Sequence, residues 1–277
     1  MNFTLRNQGQ LITSSTPLVM GIVNATPDSF FEGSRFTADS TGFKRIDSMV
    51  ADGVDIIDVG GQSTRPGAER ITEKEELKRI VPVIEGIKER YPNAFVSIDT
   101  FYGSVADAAF QAGAGMVNDV SAWSIDPSLI EVVAEHQMSY VLMHMQGTPQ
   151  TMQSAPSYEN VVNEVYSFFT EKLSLLAQKG IADVCLDPGF GFGKTVAHNF
   201  KLLQHLDEFN FLNRPILAGL SRKSMLYKPL NIEATDALNA TTVANTIALQ
   251  KGAAILRVHD VKSAVEAIKI VSLANAS

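Results

Sequence analysis

The chain has 277 residues, 45% hydrophobic and 19% charged, with a net charge of −7. That balance supplies one large apolar core, contains no run of about 18 uncharged apolar residues that could span a membrane, and disfavours a nucleic-acid footprint, which needs a basic surface. One cysteine excludes an intramolecular disulfide and suits a reducing cytoplasm, and the opening MNFTLRNQGQLITSSTP lacks the basic start and apolar stretch of a secretory signal.

In chain order, the first predicted strand is LVMGIV (18–23), and Asp39 or Ser40 caps a helix running to Gly53. DIIDV (55–59) is the second strand. The stretch from Thr72 to Tyr91 follows, opening on a T-x-x-E capping box (Thr72, Glu75) and carrying Leu77, Ile80, Val81, Ile84 and Ile87 on one stripe. Pro82 inside it predicts a kink or two abutting helices. FVSID (95–99), MVND (116–119) and SYVLM (139–143) are the third to fifth strands. A second stripe runs through Tyr158, Val161, Val162, Val165, Phe168, Phe169, Leu173 and Leu176 and is closed by Gly180. DVCLD (183–187), ILAG (216–219) and AILRV (254–258) complete the strands, with helices at Asp236 to Lys251 and Lys262 to Leu273.

Most of these strands are dense in Val, Ile and Leu with little alternation, as strands buried on both faces should be. Eight strands, each followed by helical sequence, predict an α/β fold, a (β/α)8 TIM barrel with long loops after the first two strands. The glycine fingerprint of a dinucleotide fold is missing after the first strand, where the chain reads Asn24-Ala25-Thr26-Pro27. With no linker or low-complexity tract, residues 1–277 read as one domain with a barrel core of about 17–275.

The ends of the strands are polar. Asn24, Asp58, Asp99, Asn118 with Asp119, His144, Asp187, Ser221-Arg222-Lys223-Ser224, and Arg257 with His259 stand where a barrel places its catalytic residues. One such residue could be a helix cap; eight sets without partners would cost several kcal/mol, and a polar ligand at the mouth would supply the partners. The stretch Asp187-Pro188-Gly189-Phe190-Gly191-Phe192-Gly193-Lys194-Thr195 is not a P-loop, because that pattern needs glycine where Pro188 stands. It reads either as a flexible loop, or as glycines that let a flat ligand approach the backbone beside Phe192.

MGIVNATPDSF (20–30), DVGGQSTRPGA (58–68), SIDT (97–100), VNDV (117–120), MHMQGTPQTMQ (143–153), LDPGFGFGK (186–194), SRKS (221–224) and RVHDV (257–261) together resemble the dihydropteroate synthase family over about residues 17–270. The resemblance implies a (β/α)8 barrel, a homodimer, and two small-molecule substrates, 4-aminobenzoate and 6-hydroxymethyl-7,8-dihydropterin diphosphate, joined with the help of Mg²⁺; in that family sulfonamides compete for the aminobenzoate position. It implies neither nucleic-acid nor membrane partners.

By the same resemblance Asp99, Asn118, Asp187, Lys223 and Met143 hold the pterin, with the carboxylates accepting its N–H donors. Asn24, Thr64, Arg65, Arg257 and His259 contact the diphosphate, and Asn24 faces the metal. Thr64, Pro66, Phe192, Lys223 and Ser224 surround 4-aminobenzoate. Arg257, His259 and Lys223 carry the catalysis, arginine being suited to clamp a leaving diphosphate through its planar fork. The polar loops 25–39, with Thr26, Pro27 and Asp28, and 62–72 are expected to move and to fold over the diphosphate. The family commonly has Glu where Gln62 stands, which removes a carboxylate from that loop. His144, Met143 and Gln146 line the pocket floor, while Cys185 and Trp123 pack.

Two rivals stand beside this reading. A pterin-binding module of a corrinoid methyltransferase would share the barrel and the pterin carboxylates, but no D-x-H-x-x-G cobalamin signature occurs at any of the five histidines. A catalytically inert, ligand-binding barrel would not need polar sets on all eight strands.

Overall fold

Continuous Val/Ile/Leu runs bury both faces of a strand, and the eight strands so composed close on themselves. The computed structural model describes residues 2–25, 30–32, 35–36, 40–62, 70–148, 152 and 156–276. A two-stranded hairpin, β1 (Phe3–Asn7) and β2 (Gln10–Ser14), precedes β3 (Leu18–Asn24). The short pair β4 (Phe31–Glu32) and β5 (Arg35–Phe36) and helix α1 (Thr41–Ala51) lead to β6 (Ile56–Gly60). Then α2 (Glu73–Arg90), β7 (Phe95–Asp99), α3 (Gly103–Ala112), β8 (Met116–Asp119), α4 (Ser128–Glu135) and β9 (Ser139–Met143) alternate. The second half holds α5 (Val161–Gln178), β10 (Val184–Asp187), α6 (Val196–Gln204), β11 (Ile216–Ala218), α7 (Ser224–Leu230), α8 (Leu238–Gln250), β12 (Ala253–Val258) and α9 (Val261–Asn275). Strands β3, β6, β7, β8, β9, β10, β11 and β12 form one closed, all-parallel barrel in that order. The architecture is the predicted TIM barrel.

The inner face of the barrel changes character within one two-residue step. Ile56, Phe95, Met116, Val141, Cys185, Leu217 and Ile255 form a single apolar cluster at the floor. Because side chains alternate across a strand, the next inward residues are Asp58, Ser97, Asn118, Met143, Asp187, Gly219 and Arg257. The mouth is therefore polar because most of these strands break their apolar run on that face.

The hairpin is unanticipated by the sequence reading. Gln8 and Gly9 take φ of +49° and +78°, the double left-handed turn that matches strand twist. Its inward Phe3 and Leu5 belong to the floor cluster, so the hairpin plugs the end of the barrel opposite the polar mouth. Arg6 N–H donates to Ser139 Oγ at 2.7 Å and Ser139 Oγ donates back to Arg6 O at 3.0 Å, which ties the plug to β9.

Three helical expectations need correction. Of the kink or two abutting helices expected at Pro82, the second is excluded, because Glu73–Arg90 is one continuous helix. Ile80, Val83, Ile84 and Ile87 are fully buried against the barrel, and this tertiary packing outweighs the one backbone bond that proline removes. Thr72 does cap it, accepting from Glu75 N–H at 3.3 Å, but the Glu75 carboxylate pairs with Arg79 Nε at 3.0 Å instead of closing the capping box. The segment from Asp236 divides into a 3-10 turn, Ala234–Asp236, followed by α8. Ser40 is the cap of α1, its side chain accepting from Phe43 N–H.

Candidate active site

Strand register sets the level of the mouth. Asn24 lies opposite Gly60, Gly60 opposite Asp99 and Asp99 opposite Asn118, while Asp187 stands opposite Met143. Arg257 projects from β12 across the barrel: Nε donates to Asp58 Oδ2 at 2.7 Å and Nη2 to Asp99 Oδ2 at 2.6 Å. Asn118 Nδ2 donates to the same Asp58 oxygen at 3.0 Å. Asp58 is fully buried, and its Oδ1 has no partner. The guanidinium thus bridges two buried carboxylates. Burial opposes its charge, but Asp58 and Asp99 more than offset this and hold it protonated. Asp99, buried and crowded by Asp58, Asp119 and Asp187, is pushed up to about 7 despite Arg257.

On the other side of the mouth Asp187 is 4% exposed, and its Oδ1 accepts the Gly189 N–H at 2.7 Å. Burial raises its pKa while Lys223 opposes the rise. Lys223, immediately before α7, donates Nζ to Phe190 O and lies 4.8 Å from the Phe192 ring centre. Burial brings its pKa down to about 8, against the pull of Asp187. A methyl group at Gly219 would sit 3.6 Å from Lys223 Nζ and 3.7 Å from Asp187 Oδ2, so the glycine leaves both polar groups open to the mouth. Ser221 Oγ accepts from His259 N–H at 3.2 Å and faces His259 Nδ1 at 3.0 Å. The hydroxyl has its proton free to donate to Nδ1, and in that arrangement the ring proton of the neutral imidazole is on Nε2. Burial and the cations of Arg257, Arg45 and Arg222 press His259 down to about 4, so its imidazole is neutral at pH 7. Arg222, at φ +55°, pairs with Asp260 through two bonds of 2.8 and 3.0 Å, away from the mouth.

The structure therefore brings together Asp99, Asn118, Asp187, Lys223, Phe192, Arg257 and His259, and it leaves Asn24 exposed at the rim. Met143 is buried and Ser224 half-buried at the start of α7. Thr64, Arg65 and Pro66, like Thr26, Pro27 and Asp28, lie outside the described residues.

The structure bears on three of the sequence readings. Asp119 points away from the mouth, because it is one residue out of phase with Asn118. It accepts from Ser121 N–H, Ser121 Oγ, Trp123 N–H and Tyr140 Oη and so fixes the turn after β8. Two of the glycines after β10 make room for the chain itself: a Cβ at Gly189 would fall 1.9 Å from His144 O and one at Gly193 2.4 Å from Gln146 O, whereas one at Gly191 would meet only Lys223 Cδ, at 3.5 Å. Gln62 turns toward α2, donating Nε2 to Glu76 Oε2 at 3.0 Å. Cys185 packs in the floor, and Trp123 packs on Tyr140 beneath Lys172 Nζ, 4.0 Å from its ring.

Sequence reasoning missed two buried ionisable groups. Glu76, on a helix read only for its apolar stripe, is fully buried and pushed up to about 8 by burial, with the nearby Thr100 hydroxyl opposing. Lys194 is 3% exposed between β9 and β10. The lysine carried a signal, since it closes a glycine-rich stretch that cannot be a phosphate loop.

Among the described residues no group of three or more His, Cys, Asp or Glu could hold a metal ion, and no helix is long and apolar enough to cross a membrane.

Residues 20–259 match the family model described as pterin binding enzyme. The dihydropteroate synthase of Escherichia coli strain K12 is 44% identical over 266 residues, covering 95% of this chain and 94% of that protein. The structure of Yersinia pestis dihydropteroate synthase with a sulfonamide drug complex superposes with a TM-score of 0.92 at 39% identity, covering 99% of this chain and 100% of that one. That of Xanthomonas albilineans dihydropteroate synthase with 4-aminobenzoic acid gives 0.91 at 39% identity, with both chains covered completely. Full-length identity at this level, on one barrel with one polar mouth, makes the chain a member of the pterin binding enzymes and, among them, of the dihydropteroate synthases.

Proposed function

We propose that the chain transfers the pterin-methyl group of 6-hydroxymethyl-7,8-dihydropterin diphosphate to 4-aminobenzoate, giving 7,8-dihydropteroate and diphosphate for folate biosynthesis. The observation that carries this reading is the Asp187–Lys223–Phe192 corner. A buried carboxylate, an ammonium and an aromatic face stand side by side, the set needed for a flat heterocycle with both donors and acceptors.

In this reading Asp187 accepts the pterin N–H donors, with Asn118 and Asp99 beside it, and Lys223 donates to the ring acceptors. Met143 closes the pocket below. Phe192, Ser224, Thr64 and Pro66 surround the second substrate. Its amine nitrogen attacks the exocyclic methylene carbon. The C–N bond forms as the C–O bond breaks, diphosphate leaves with the electron pair, and the amine releases a proton to water. The protein positions the two substrates and stabilises charge, so no nucleophilic side chain is needed. Arg257, the Nε2–H of His259, Thr64 and Arg65 stabilise the departing diphosphate.

Mg²⁺ fits the donor set in one respect. It needs only one or two protein oxygens when substrate phosphates and water supply the rest, and the exposed Asn24 amide at the rim offers one. When bound, it would neutralise diphosphate charge.

A homodimer goes with this reading. It is supported by apolar side chains left exposed on the adjacent helices α8 and α9: Val243, Ile247, Ile270 and Leu273. The lone, buried cysteine suits a cytoplasmic enzyme. The rival methyltransferase module lacks support because the full-length relatives are synthases.

The test is diphosphate release from the pterin diphosphate in the presence of Mg²⁺. Release that depends on 4-aminobenzoate is expected. Binding of the pterin without release would make the protein an inert barrel.

A further inference from the structure

We propose that Lys194 is a positioning residue whose buried ammonium, seated between the end of β9 and the loop after β10, sets Phe192 and thereby shapes the 4-aminobenzoate pocket. This rests on the function proposed above.

The geometry is that of a cation cage filled by the chain's own side chain. Lys194 Nζ lies 3.0 Å from Gly189 O, 3.0 Å from Phe192 O, 3.2 Å from His144 O and 3.0 Å from His144 Nδ1. Three carbonyl oxygens and an imidazole nitrogen converge on one point, and such an arrangement of negative dipole ends repels itself unless a positive charge sits among them. The backbone that brings them together is glycine-dependent. Gly189, Gly191 and Gly193 take φ of +69°, +83° and +64°, so the loop coils tightly and presses onto His144 and Gln146. The glycines permit the coil; the ammonium is what draws its carbonyls inward.

The consequence reaches the pocket through Phe192. Its N–H donates to Gly189 O at 3.1 Å, and its carbonyl accepts from Lys194. Its ring is then presented to Lys223, which donates to the carbonyl of Phe190 on the same loop. Two lysines thus grip carbonyls of one turn, Lys223 that of Phe190 and Lys194 those of Gly189 and Phe192. Tyr158, from the segment before α5, adds a hydroxyl donor to Gly193 O at 2.9 Å. Lys194 is 3% exposed, and its ammonium is surrounded by these four acceptors.

The charged and titratable groups around the ammonium are Asp187 at the end of β10, Lys223 before α7 and His144 after β9. His144 is neutral, pushed down to about 3 by burial and by the lysine itself. Burial also lowers Lys194 to about 7, with Asp187 opposing. A charge held at that cost, without touching the pterin-binding groups, is accounted for by the loop it orders.

The test separates positioning from folding and from the proposed function. Lys194→Met keeps the stem and removes the ammonium. Its KM for 4-aminobenzoate should rise about tenfold or more, the size of one charged hydrogen-bonding group, while pterin affinity by calorimetry stays within about twofold. A folded variant with unchanged KM for 4-aminobenzoate, or with both substrates weakened equally, would overturn the proposal. Tyr158→Phe removes one donor from the same loop, buries no unpaired charge, and decides the matter if the first variant does not fold. It should raise the same KM by about threefold, and no change would overturn the proposal. Absence of turnover in the unmodified protein would instead defeat the synthase reading, so the two failures are distinguishable.

Discussion

Arg257 shows how one side chain can serve both the apolar floor and the mouth. Its stem continues the inner face of β12 above Ile255, and its planar head reaches Asp58 and Asp99 together. A lysine could meet only one of these carboxylates at a time, so Arg257→Lys is not conservative here. We expect kcat to fall about 10²-fold or more, because charge on the leaving oxygen grows toward the transition state and needs a fixed donor. Single-turnover kinetics check this, and a variant that only raised KM would make Arg257 an anchor. The negative shift on His259 adds a second residue-level expectation. As a neutral donor it interacts with diphosphate through one hydrogen bond, so His259→Gln, which retains an N–H donor, should keep far more activity than His259→Ala when both are assayed at pH 7.

At the scale of elements, α2 and the glycine-rich loop each carry a test. Glu76 is raised from 4.5 to about 8, so between those values the native state holds a proton that the unfolded chain has released. Stability from this group is therefore full below the unfolded value and declines as pH rises toward 8. Glu76→Gln keeps an acceptor for the Gln62 amide and removes that decline, leaving the declines due to the other raised carboxyls, Asp99, Asp55, Asp119 and Asp187. Melting temperatures measured across this range should converge for variant and parent at the acid end and favour the variant at the alkaline end. Equal slopes would show that Glu76 titrates normally. In the loop after β10, Gly189→Ala adds a Cβ where the His144 carbonyl already stands, at a left-handed φ. It should destabilise the fold by about 2 kcal/mol or more in urea titration. Gly180, also at positive φ but with nothing within 4 Å, should tolerate alanine better.

Across the whole molecule, stability and chemistry occupy opposite ends of the barrel, as this architecture generally arranges them. The hairpin β1–β2 closes the floor, where Leu5 is fully buried. Leu5→Ala should cost about 2–5 kcal/mol through the cavity it leaves, with kcat/KM unchanged below the melting transition. A fall in kcat/KM of the folded variant would mean that the floor and the mouth are coupled through the single layer of side chains between them.

Strand positions were legible because burial on both faces demands unbroken apolar runs. FVSID, MVND and SYVLM match β7, β8 and β9 to the residue. The polar residues that end those runs were legible for the same reason, since a polar group interrupting an apolar strand stands out. That legibility hides a phase: when both faces are apolar, nothing local says whether Asn118 or Asp119 looks into the barrel. Closure of the sheet decides, sending Asn118 to Asp58 and Asp119 to Tyr140. The hairpin escaped notice because its apolar side, Phe3 and Leu5, is short and finds its partners only in strands distant in sequence. Glu76 and Lys194 have the composition of surface residues, and no local pattern distinguishes them. Only the packing of α2 against the ends of β6 and β7, and of the glycine loop against β9, removes water from these two groups, which keeps Glu76 protonated and seats Lys194 among its carbonyls.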